Sequence, residues 1–188
     1  MTATPFLAHL ETAIADLRAT VHTHFTALDP ALLNQRPAPT SWSILECLEH
    51  LNRYSRYYNP AFAKALTTTA PVPAPPAEIT YSWLGRKSVE MMRPTNGKKS
   101  RALKHLNPLG SRLDREVLTE FDRHQARLLE LLALARTANL NRKAVPVEFF
   151  RLLKLRLGEA LEFVVMHQQR HIQQAQRVQA GLRAELAC

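Results

Sequence analysis

The chain has 188 residues, 46% of them hydrophobic, with only five glycines, two cysteines and a formal net charge of +9. This length can bury a substantial core within one domain spanning residues 1–188, and so few glycines favour helices over a turn-rich β fold. No run of about 18 apolar residues exists to span a membrane, and the N-terminal MTATPFLAHLETAIADL lacks the basic lead and apolar block of a signal peptide, so a cytoplasmic location is expected.

The first predicted helix runs from about Thr4 to Leu28. Phe6, Leu7, Leu10, Ile14, Leu17, Val21, Phe25 and Leu28 repeat at the three-and-four spacing of a bundle seam. Pro5 suits a first turn, and Asp29-Pro30 should end the helix. Arg36-Pro-Ala-Pro39 reads as an extended connector, because each proline disfavours a helical residue before it. Ser41 or Ser43 then caps a second helix, and Ser43 with Glu46 has capping-box spacing. That helix reaches about Leu66 on Ile44, Leu48, Leu51, Tyr58 and Phe62, with a kink expected at Asn59-Pro60.

Thr67 to Ser111 break the pattern. The prolines of Pro71–Pro76, then Met92-Arg-Pro-Thr-Asn-Gly, then Asn107-Pro-Leu-Gly read as a long crossover, with a short helix over Ser82–Met92 inside it. A third long helix follows from Arg112 to Thr137, with His124 on its apolar stripe beside Phe121 and Leu128. Asn139 to Val147 is expected to be a turn. The fourth helix should start at Val147 or Glu148 and run to Leu182, tolerating Gly158. Four amphipathic helices without a convincing strand predict an all-α four-helix bundle.

The fourth helix carries the chemistry. Along Leu157, Leu161, Val164, Ile172 or Ala175, Val178 and Leu182, the apolar stripe is interrupted by His167 and His171. Histidines one turn apart point the same way and can close on one metal ion; two histidines satisfied by hydrogen bonds in a core are the alternative. A bundle site draws ligands from more than one helix. The second helix offers His50 in ECLEHL, on the face that also carries Glu46, Cys47, Tyr54 and Tyr57. His50, His167 and His171 match the three-ligand count of catalytic zinc sites, which keep a position open. Glu46 and Glu49 are candidate acceptors for an imidazole N–H, Arg170 and Gln174 candidate site-shaping groups, and Trp42 a core anchor.

The charge is uneven. Residues 1–85 hold five Lys/Arg against six Asp/Glu, and residues 86–188 hold 20 against 10. A basic half can face nucleic acid or another polyanion, but no aromatic interrupts the basic residues between Arg86 and Lys104, so nucleic acid is not the expected partner. Cys47 and Cys188 are read as free thiols.

Two stretches carry a family resemblance. Pro37-x-x-x-Ser41-Trp-Ser-Ile44 running into Glu46-Cys-Leu-Glu-His50-Leu, and His167-x-x-Arg170-His171-x-x-Gln174, resemble the opening and closing signatures of the DinB/YfiT-like superfamily. Asn52, Tyr57-Tyr58, the long loop and Leu157-Gly158-Glu159 fall in the same order between them. The resemblance implies an up-down-down-up bundle with a metal on His50, His167 and His171. It also implies one of two activities: metal-dependent hydrolysis, or S-transfer from a low-molecular-weight thiol.

Neutral imidazoles suit several divalent ions, of which zinc or nickel is expected. The leading expectation is a hydrolase acting on a small molecule through metal-bound water. No carboxylate stands between the paired histidines, where Gln168, Gln169 and Arg170 lie, which argues against a peptidase and leaves no evident general base. Substrate specificity is expected from the long loop with Tyr54, Tyr57, Tyr58 and His124. A homodimer through bundle faces is compatible with this fold, although no residue specifies it.

Overall fold

The computed structural model describes residues 1–68, 78–98, 101–148 and 150–186. The proline cluster Pro71–Pro76 and Cys188 lie outside the described residues. In chain order the elements are α1 (Ala3–Phe25), α2 (Pro30–Asn34), α3 (Ile44–Thr67), α4 (Trp83–Met92), a 3₁₀ turn (Lys104–Leu106), α5 (Glu116–Ala135), β1 (Lys143–Val147), β2 (Phe150–Arg156) and α6 (Leu157–Leu186). The four long helices are α1, α3, α5 and α6, and α1 and α3 each pack on both α5 and α6.

Side-chain pairs give their directions. Arg18 and Glu11 of α1 meet Asp122 and Arg136 at α5, both at 2.7 Å, so these two run antiparallel. Asn52 donates to the Val117 carbonyl, Arg56 pairs with Glu120, and Asn59 donates to the His124 carbonyl, so α3 and α5 run parallel. Tyr58 meets Phe163, Tyr54 meets His167 and His50 meets His171, so α3 and α6 run antiparallel. The result is up, down, down, up. Parallel neighbours that follow one another in the chain force the crossover, because α3 is 24 residues long and a return along it spans roughly 36 Å.

Two buried carboxylates hold the ends of that crossover. Glu46 completes the capping box with Ser43 (Ser43 N–H to Oε2, 2.8 Å) and also accepts from the Gly110 N–H at 2.6 Å. Gly110 has φ +87°, a conformation that favours glycine. At the other end Glu159 accepts from the backbone N–H groups of Ser82 and Arg156. Gly85 makes room for that carboxylate, since a Cβ would lie 2.0 Å from the Glu159 carboxyl carbon and force it to shift.

Several boundaries differ from the sequence expectation. The first helix ends at Phe25, and Asp29 caps the short α2 instead of closing a longer helix (Ala31 N–H to Oδ1, 2.8 Å). α3, by contrast, runs through Pro60 to Thr67, within one residue of the expected end. The third long helix is shorter than Arg112–Thr137 at both ends. The main correction is that Lys143–Val147 and Phe150–Arg156 pair as antiparallel strands and the last helix begins at Leu157. Buried Val145, Val147, Leu155 and Leu157 alternate with outward positions at period two. Because FFRLLKLRL is apolar enough to fit either period, it read as the start of the helix that follows it. Gly158 therefore stands at the helix start, donating to the Leu140 carbonyl at 2.8 Å.

The core has two apolar groups. One gathers Leu7, Phe62, Leu131 and Leu161; the other gathers Phe25, Leu48, Phe121 and Ile172. Along α6 the first ends at Met166 and the second begins at Ile172. His167 and His171 occupy the step between them.

Candidate metal centre

The antiparallel packing of α3 on α6 brings His50, in the second turn of α3, against the His167/His171 pair. One nitrogen from each of the three lies within 4.8 Å of the other two. The ring centroids are 4.6 to 5.0 Å apart, with every pair of rings edge-on. His50 and His167 are each 3% exposed, and His171 is the partly exposed member.

Hydrogen bonds set which nitrogens are free. His50 Nδ1 lies 2.7 Å from the Leu106 carbonyl, which can only accept, so Nδ1 carries the proton and Nε2 a lone pair. His171 Nδ1 donates to Gln174 Oε1 at 2.9 Å, freeing its Nε2 in the same way. The Nε2 atoms of His50 and His167 face each other at 3.2 Å. Two nitrogens on a tetrahedral zinc-sized ion stand about 3.3 Å apart. The donor set therefore fits a divalent ion.

Electrostatics keep the rings neutral. Burial pushes His50 down from 6.5 to about 4, against the opposing Leu106 bond. Burial, then the His50 charge, takes His171 to about 3. His167 falls well below its ordinary value through burial and its two histidine neighbours. Neutral rings are the metal-binding form.

Aromatic rings wall the centre. The Trp42 ring centroid lies 4.7 Å from that of His50 and 5.5 Å from that of His171, while Tyr54 sits 4.3 Å from His167. Trp42 is thus part of the site's wall, and its indole N–H donates to Asn107 Oδ1 at 3.0 Å, holding the crossover over the site. Two surface hollows, about 700 Å3 beside Pro30 and Arg112 and about 460 Å3 beside Asn59 and His124, are lined by none of the three histidines.

Other candidates fall elsewhere. The acceptor for His50 is the Leu106 carbonyl, not Glu46 or Glu49: Glu46 caps α3, and Glu49 pairs with Arg53 and Arg56. Cys47 is a buried free thiol outside the histidine group, its pKa pushed up by burial. His124 donates to Glu120 on α5, on the α3–α5 side of the bundle. Arg170 acts as a clamp: it donates to the carbonyls of Met91, Arg93, Asn96 and Lys98, pinning the crossover beside His171. Leu106 escaped the sequence reading because a backbone carbonyl has no residue-type signature.

Together these features define a helical bundle with a buried three-histidine centre able to hold one ion. A model of the DinB superfamily matches residues 13–175, and the chain belongs to that superfamily. Among solved structures it is similar to YfiT from Bacillus subtilis, at 15% identity and TM-score 0.55, over 92% of this chain and 85% of that one. YfiT is described as a probable metal-dependent hydrolase with an unusual four-helix bundle topology. No curated protein matches the sequence. No helix among the described residues is long and apolar enough to cross a membrane.

Proposed function

We propose that this protein is a metal-dependent hydrolase of a small-molecule substrate, with His50, His167 and His171 holding one divalent ion, zinc or nickel. The observation that carries this reading is the convergence of imidazole nitrogens in a buried pocket, with two rings fixed as the Nδ1–H tautomer by the Leu106 carbonyl and Gln174. Three neutral ligands leave such an ion its full charge and an open position, which can lower the pKa of water to about 7 or hold a thiolate. The chain's own contribution is orientation and exclusion. Leu106 and Gln174 aim the rings, Trp42 and Tyr54 keep bulk water off two of their faces, and Arg170 and Trp42 tie the crossover over the site.

The same donor set suits S-transfer from a low-molecular-weight thiol, because an undiminished positive charge favours a thiolate anion. A polyanion-binding role is supported less well. Many basic residues of the C-terminal half are engaged within the fold, as in Arg123 with Glu116, Arg136 with Glu11, and Arg170 on backbone carbonyls. Elemental analysis after chelator-free purification tests the metal reading. One divalent ion per chain is expected, lost in the His167→Ala/His171→Ala double variant; full metal content in that variant would sink the assignment. Parallel screens with ester and amide substrates, and with electrophiles plus a thiol, separate hydrolysis from S-transfer.

A further inference from the structure

One largely buried carboxylate outside the histidine group, Glu148, is linked to that group by contacts from two directions. The 3₁₀ turn Lys104–Leu106 makes two contacts from successive residues. The Leu106 carbonyl accepts from His50 Nδ1, and His105 Nε2 donates to Glu148 Oε1, both at 2.7 Å. Glu148 stands where the β1–β2 hairpin turns, and its backbone N–H donates to the Tyr58 hydroxyl at 3.4 Å. Tyr58 stacks on Tyr54, whose ring lies against His167 and His50. The carboxylate is therefore tied to the site along two routes, through Leu106 and through the tyrosines.

Its second oxygen is left over. Glu148 Oε2 is buried and has no hydrogen-bond partner among the described residues, while the side chain as a whole is 11% exposed. A buried carboxylate oxygen is costly to leave unpaired, so this position favours a proton donor. The negative charge of Glu148 is felt at Tyr54, where it adds to burial in raising the phenol to about 12. The titratable groups facing Glu148 are thus His105 from the 3₁₀ turn and Tyr54 and Tyr58 from α3. His105 is 60% exposed at its side chain, so the far edge of its ring is open to solvent.

We propose that Glu148 is the proton acceptor of this site, with His105 as the positioning residue that holds Oε1 and relays the proton outward. Glu148 Oε2 takes the proton of a nucleophile's O–H or S–H bond. The freed electron pair forms the new bond to the electrophilic centre, and the leaving group departs with the electrons of the broken bond. It is then protonated from Glu148 or, through His105, from solvent. The inference rests on the histidine centre holding a divalent ion, as proposed above.

The test uses Co(II) alone as probe, bound to the full chain in place of the native ion. The pH midpoint of its visible spectrum is compared for wild type, Glu148→Gln and the exposed control Glu130→Gln. Glutamine keeps the shape and still accepts from His105. Removing a nearby negative charge favours ionisation at the centre, so the midpoint should fall by about one unit or more, a tenfold change, at unchanged Co(II) stoichiometry. Glu130→Gln should leave it in place.

An unmoved midpoint in Glu148→Gln, or an equal shift in both variants, overturns the proposal. Should Glu148→Gln fail to fold, the exposed change His105→Ala decides. With Oε1 no longer held, the rate with p-nitrophenyl acetate should fall at unchanged zinc content, and an unchanged rate overturns the proposal. A wild-type protein that takes up no Co(II) overturns instead the metal reading beneath it. Where the zinc-loaded protein hydrolyses p-nitrophenyl acetate as probe ester, Glu148→Gln should lower the rate roughly 10²- to 10⁴-fold.

Discussion

Acidification of the metal-free protein should weaken its fold through the histidine centre. His50 is 3% exposed, and burial takes its imidazole from 6.5 to about 4. Below pH 6.5 the unfolded chain protonates this ring, whereas the folded chain does not until pH is near 4. The unfolded state therefore binds more protons across that window, and stability falls as pH falls through it. The stabilisation is fully present above the unfolded value and gone below the folded one. A gap from 6.5 to about 4 corresponds to roughly 3 kcal/mol, against a typical total of about 5–15 kcal/mol.

His167 and His171 shift in the same direction, but the three rings share one site and their contributions do not add independently. Urea unfolding followed by circular dichroism, at steps from about pH 7 to about pH 4 on chelator-treated protein, measures the effect. His50→Gln is the reference, since it can still donate to Leu106 and does not titrate, so carboxylate effects cancel in the comparison. Wild type should lose about 3 kcal/mol more than His50→Gln over that range. Equal slopes would refute the burial argument. Adding a divalent ion should move the acid transition of wild type to lower pH, because the ion and protons compete for the same lone pairs.

Three further outcomes follow from single contacts. Gln174→Leu removes the acceptor that fixes the His171 tautomer, and metal affinity by competition titration should drop about 10- to 100-fold with helicity unchanged. Gly85→Ala should destabilise by about 1–3 kcal/mol in a thermal melt despite the better helix propensity of alanine, because the new methyl overlaps the buried Glu159 carboxylate. His124→Ala should leave metal content unchanged, since its ring bonds to Glu120 and lies outside the histidine group; loss of the ion would mean that the centre extends to α5.

Local rules made much of the fold legible. The capping box at Ser43/Glu46 and the apolar repeats of α1, α3, α5 and the later part of α6 follow from hydrogen-bond and packing patterns within a few turns. The β1–β2 pair was hidden because its apolar residues satisfy two periods at once. Pro60 was legible as lying inside α3, where a missing N–H does not end a helix packed along its length against α5 and α6.

The three histidines were readable as residue types at helical spacing. What only the tertiary structure decided is how they are used. Parallel α3 and α5 force the crossover that brings Leu106 onto His50, and the hairpin that replaces the expected helix start puts Glu148 beside His105. Both are long-range encounters, 56 and 43 positions apart. Residue type and periodicity report on neighbours a few positions away. A carbonyl that orients a ligand and a carboxylate with one unpaired oxygen appear only once the bundle has closed around them.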